Sequence, residues 1–193
     1  MKIKKGQINQ LALGSLLIFI AIGWIVNHFS LERSLIEAFN GNFSIISQLL
    51  IGAGYGTVAA LLAWKLIESK FMVSVKNFFV PFLGGLNFNT KDIVFISICA
   101  GFGEEVLFRA SLQPLMGIWW AALIFVALHG YLNPNNWRLS IYGVLMVFIA
   151  AGLGYLYQQI GLVAAITAHA FVDIVLLMRI NNEYAKTHTY NEQ

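Results

Sequence analysis

Apolar residues fall in long blocks along this chain, separated by short polar stretches. Blocks at 11–26, 45–67, 92–115, 117–130, 139–158 and 162–180 are predominantly apolar, with most of their few charges in the third. Several approach or exceed the ~20 apolar residues that cross the hydrocarbon of a bilayer. The pattern predicts an all-α, polytopic membrane bundle of about six transmembrane helices. It forms one domain over 1–193, with a polar tail at 182–193 expected to fray. An even number of crossings puts both termini on one side.

The intervals between blocks have their own character. Residues 69–88 mix Lys70 and Lys76 with Phe71, Phe78, Phe79 and Phe82, the composition of a segment lying in the headgroup region. Pro81 and Gly84-Gly85 are expected to end any helix there. Asn133-Pro134-Asn135-Asn136 reads as a turn at the inner face. The first block follows three lysines within residues 1–5, as in a secretory signal peptide. Asn27-His28-Phe29-Ser30 offers no small-x-small cleavage site, so a retained first helix is expected. Gly52-Ala53-Gly54-Tyr55-Gly56 and Gly152-Leu153-Gly154 are expected to let helices approach closely.

Composition agrees. The chain is 59% hydrophobic with mean hydropathy +0.73, where soluble domains hold about 45–50% apolar residues. A net charge of +3 is too small to suggest a nucleic-acid partner, and the lone Cys99 excludes an internal disulfide. The placement of charge says more than its sum. With termini inside, Lys2, Lys4, Lys5, Lys65, Lys70, Lys76, Lys91, Arg138, Arg179 and Lys186 share the inner face, and Arg33 alone falls outside. This is the positive-inside pattern. With no organelle signal, it points to a bacterial plasma membrane with both termini cytoplasmic.

Against this apolar background a few polar residues stand out. Glu104, Glu105 and Arg109 lie within the third block, where each charge costs a few kcal/mol unless paired, wetted or turned to the protein interior. Glu105 and Arg109 are spaced i,i+4 and can pair. Glu104, about 100° away around the helix, is left without that partner and free to transfer a proton. His129 follows one turn after Phe125, and His169 precedes Asp173 by one turn. Carboxylates and imidazoles on several helices can activate water or hold a metal. Depth presents a difficulty: Glu104 falls about 20 Å along its helix from Lys91, past the midplane, while His129 falls near the inner face.

Glu104-Glu105-x-x-x-Arg109, Phe125-x-x-x-His129 and His169-x-x-x-Asp173 resemble the three motifs of the CPBP (Abi, CAAX protease) family of intramembrane proteases. The resemblance implies Glu104 as the base that activates water and His129 as its anchor. Glu105 is implied to be locked to Arg109, with His169 and the residue one turn later at the oxyanion. Prenyl-protein proteases of the family have asparagine where this chain has Asp173. A carboxylate cannot donate a hydrogen bond, so Asp173 is expected to orient His169. The resulting expectation is an intramembrane endopeptidase acting on a membrane peptide or protein within the lipid bilayer. No cofactor is expected, with zinc as the alternative. Two other readings use the same charged core: a non-proteolytic scaffold or bacteriocin self-immunity factor, and a proton-coupled carrier. The carrier would usually show inverted repeats, and none is visible.

Overall fold

A computed structural model describes residues 5–189; Lys2, Lys4 and residues 190–193 lie outside it. Among the described residues the chain is helical, without a strand. The helices are α1 (Lys5–Phe29), α2 (Ile45–Ile67), α3 (Val73–Gly84), α4 (Thr90–Leu107), α5 (Gln113–Leu128), α6 (Trp137–Gln159) and α7 (Leu162–Thr189). A π-helical turn, Phe108–Leu112, joins α4 to α5. α7 continues through most of the stretch expected to fray.

Five stretches among the described residues are long and apolar enough to cross a bilayer: Gly6–Phe29, Ile45–Ile67, Thr90–Leu128, Trp137–Gln159 and Leu162–Thr187. Their outward faces carry Leu50, Leu128 and Phe148 at 69%, 73% and 60% exposure. A surface this apolar is solvated by lipid. The chain is an integral membrane protein.

The bundle of about six helices is borne out, with the third and fourth blocks joined in one stretch, Thr90–Leu128. Gly117 has φ 83° and ψ 167°, a backbone conformation that glycine adopts readily and other residues do not, and the chain reverses there. Phe108 and Phe125 consequently have ring centroids 5.0 Å apart, where straight helix would separate them by ~25 Å. The returning piece, 118–128, rises roughly 16 Å, about half the hydrocarbon thickness. Residues 129–136 then connect it to α6.

The helix ends gather at two poles. At one, Asn42 joins the α1–α2 connection to the start of α7: its backbone N–H donates to the Ile160 carbonyl (2.9 Å) and its Nδ2 to that of Gln159 (3.0 Å). At the other, Lys76 pairs with Glu183, Asn181 donates to the Phe88 carbonyl, and Phe71 packs edge-on against Trp137. Lys65, Lys70, Lys91, Arg138 and Arg179 belong to this second, basic pole.

α2 lies closely along α7. Gly52 and Gly56, one turn apart, face the Ala164 and Ala168 carbonyls, and a Cβ at either would collide with them. This is the small-x-x-x-small contact of membrane helices. Gly54 meets open space, so the packing role expected of it is not found. α3 ends at Gly84-Gly85 as expected, but Pro81 does not stop it. At Gly84 the Tyr184 ring fills the space a Cβ would need. Val75 and Val80 are buried, while Phe78 and Phe82 point outward.

Candidate active site

α4 carries Glu104 and Glu105 on adjacent faces. Glu105 is fully buried and forms an ion pair with Arg109 at 3.1 Å. Arg109 Nη2 donates to the Ala150 carbonyl (3.1 Å) on α6, and its guanidinium lies 5.1 Å from the centre of the Phe125 ring. A buried cation here thus has a carboxylate, a carbonyl and an aromatic face as partners.

Arg109 sits in the π turn. Such turns are uncommon and cluster at functional sites, and this one is braced from α1 and the following loop. Asn27 Nδ2 donates to Ser111 Oγ (2.8 Å), and Ser111 Oγ donates to the Val106 carbonyl (2.7 Å). Arg33 Nη2 donates to the Ala110 carbonyl (2.6 Å), and Arg33 Nε to Asn27 Oδ1 (2.9 Å).

The second oxygen of Glu105 accepts a hydrogen bond from His169 Nδ1 at 2.8 Å. An ion-paired carboxylate only accepts, so Nδ1 carries the proton. That leaves His169 Nε2 turned toward Glu104 Oε2 (3.8 Å) and Asp173 Oδ2 (3.6 Å). The orienting partner of His169 is therefore Glu105. Asp173, expected in that role, faces the other ring nitrogen.

His129 closes the group. It follows the last residue of α5, and its Nδ1 donates to the Phe125 carbonyl (2.8 Å). Its Nε2 lies 3.6 Å from Glu104 Oε2. The depth difficulty is resolved by the short return of 118–128, which stops level with Glu104 instead of reaching the basic pole. Phe125 serves as the common floor, 4.4 Å from His129 and 5.7 Å from His169 between ring centres. All six polar residues singled out by sequence thus meet in one cluster. Glu105, Arg109 and His169 are sealed at its back. Glu104, His129 and Asp173 keep 17%, 35% and 32% of their side chains exposed, so its front is open.

A cavity of about 90 Å³ reaches Asp173 from α3, between Phe79, Leu83, Tyr131, Tyr142 and Ile180. Larger polar clefts, of about 350 and 490 Å³, lie at the opposite pole around Arg33 and Glu37. Neither contains a residue of the cluster. Sequence reading passed over Tyr131, Tyr142, Asn27, Ser111 and the inward reach of Arg33. For Asn27 and Ser111 a signal existed: polar residues at the ends of apolar blocks often bond across membrane helices.

Over residues 86–175 the chain matches the type II CAAX prenyl endopeptidase Rce1-like family. That segment holds all six polar residues, and the resemblance read from the three motifs is borne out. It covers just under half of the chain and begins after α3. A curated relative, the uncharacterized protein YpbD of Bacillus subtilis (strain 168), is 36% identical over 116 residues, 56% of this chain and 59% of that protein. The chain therefore spans less than two thirds of that relative's length. No solved structure matches it.

Proposed function

We propose that this protein is an intramembrane endopeptidase that hydrolyses a peptide bond of a membrane peptide or protein with water activated by Glu104 and His129. One observation carries the reading. Glu104 Oε2 stands 3.6 Å from His129 Nε2 and 3.8 Å from His169 Nε2, groups supplied by three separate segments. These separations are too long for direct hydrogen bonds, and a water beside the group can donate one O–H to Glu104 Oε2 and the other to His129 Nε2.

Glu104 takes a proton from that water as its oxygen attacks the carbonyl carbon. The proton then passes to the departing amine as the C–N bond breaks, and Glu104 returns to its starting state. His169, already an imidazolium before the attack and unchanged after it, faces the developing oxyanion with its Nε2–H, while Glu105 and Arg109 hold its ring in place. We assign a metal-free mechanism. This is supported by the commitment of Glu105 to Arg109 and His169. The basic pole is assigned to the cytoplasmic side of a bacterial plasma membrane, supported by its charge and by a relative from Bacillus subtilis.

The test compares membranes of cells making wild-type protein or Glu104→Gln, with membrane-associated peptides followed by mass spectrometry. Fragments formed only with wild type are the expected result. Identical profiles with an unchanged phenotype would favour the scaffold or immunity reading instead.

A further inference from the structure

Four side-chain atoms converge on the reaction space, and in the neutral tautomers none of them donates. His129 and His169 each spend their proton at Nδ1, on the Phe125 carbonyl and on Glu105. Both Nε2 atoms are then lone-pair acceptors, like Glu104 Oε2 and Asp173 Oδ2. If His169 becomes an imidazolium, its Nε2–H supplies one donor, with Asp173 at 3.6 Å and Glu104 at 3.8 Å beside it. A second donor beside His169 would complete an oxyanion site here.

Tyr131 is placed to supply it. It follows His129 by two residues, with the rings 5.8 Å apart and inclined by only 26°. Its ring is held edge-on by Tyr142 at 5.3 Å and by Phe79 at 6.0 Å. It lines the same cavity as Asp173. Tyr142 lines that cavity too, but is only 3% exposed and lies behind Tyr131.

We propose that Tyr131 is a further catalytic residue, its hydroxyl donating a hydrogen bond to the scissile carbonyl oxygen as that oxygen takes on charge. The assignment rests on the endopeptidase reading above. No proton leaves the phenol: the water proton goes to Glu104 and on to the amine, and the Tyr131 O–H bond stays intact. A phenol keeps its proton at neutral pH and so remains a donor. The arrangement also accounts for a carboxylate at 173: with Tyr131 donating, residue 173 need not.

The test follows the fragments made in cells expressing wild type, Glu104→Gln, Tyr131→Phe and Tyr142→Phe at matched levels. Phenylalanine keeps the ring contacts, so Tyr131→Phe protein should melt with wild type and still co-purify with uncut substrate. Its fragments should form roughly 10²-fold more slowly, the usual effect of removing one oxyanion donor, at unchanged cleavage sites. Tyr131→3-fluorotyrosine, which restores a phenol in the same place, should restore the rate. Wild-type rates in Tyr131→Phe would overturn the assignment, as would loss only in Tyr142→Phe, or loss accompanied by failed substrate capture. If wild type and Glu104→Gln give the same fragments, the endopeptidase reading fails, and this assignment with it.

Discussion

His169 takes its orientation from Glu105, on another helix, and not from Asp173, one turn along its own. The Nδ1–Oε1 hydrogen bond is 2.8 Å, while Asp173 stands 3.6 Å from Nε2. One fully buried carboxylate thus holds a guanidinium with one oxygen and an imidazole with the other. The neighbouring Glu104 is left facing both histidines. Two adjacent glutamates of one helix acquire different work because they point about 100° apart.

Arg109→Ala should destabilise the protein by about 3–5 kcal/mol, because it strands Glu105 as an unpaired buried charge. Arg109→Lys should recover only part of the loss, since an ammonium cannot lie flat on Phe125 while reaching both Glu105 and Ala150. Thermal unfolding in detergent measures both. A wild-type melting curve for Arg109→Ala would remove the ion pair from the account of stability.

His129→Ala should behave in the opposite way. The side chain is 35% exposed and bonds only the carbonyl of its own last turn, so stability should change by no more than about 0.5 kcal/mol. Cleavage should fall roughly 10²–10⁴-fold, the range for a lost acid–base group. Fragment formation rates and melting curves on the same preparations separate the two effects.

Gly56→Leu should loosen the α2–α7 contact, because its side chain must enter the space beside the Ala168 carbonyl; overpacking of this kind costs about 1–3 kcal/mol or more. Gly54→Leu, two residues away and facing open space, should leave the melting curve unchanged. Equal effects from the two would refute the packing register.

Ser111→Ala should cost about 1–3 kcal/mol by leaving one N–H of the buried Asn27 amide unpaired, its other bonds to Gly23 and Arg33 being kept. A double-mutant cycle with Asn27→Ala should give a coupling of about 0.5–3 kcal/mol. Additive losses would show that the brace on the π turn is not a unit.

Cleavage should survive exhaustive treatment with a zinc chelator, as a water activated by Glu104 requires no Lewis acid. Loss on chelation, with recovery on adding zinc back, would replace the metal-free mechanism.

The membrane character, the helical class and the identity of the six clustered residues were legible in the sequence. Burying charge in lipid is so costly that Glu104, Glu105, Arg109, His169 and Asp173 stand out wherever they fall. Helical periodicity then pairs Glu105 with Arg109 and sets Glu104 apart. These are local properties, carried by spacing and composition. Gly117 was not read as a reversal, since glycines are common in membrane helices for packing and residue type alone does not reveal a positive φ.

The rest followed from how distant segments meet. Only the reversal at Gly117 brings His129 level with Glu104, and only the packing of α7 on α4 turns His169 toward Glu105. Arg33, counted along the chain as a lone outer cation, reaches the Ala110 carbonyl because the connection after α1 folds over the π turn. Tyr131 lines one cavity with Asp173 because the short α5 yields to loop there. Sequence determined which side chains would be costly to bury and along which helix faces they lie. Tertiary structure decided which of them share a partner, because hydrogen bonds between helices depend on rotation and depth, and neither is encoded in the spacing along a single helix.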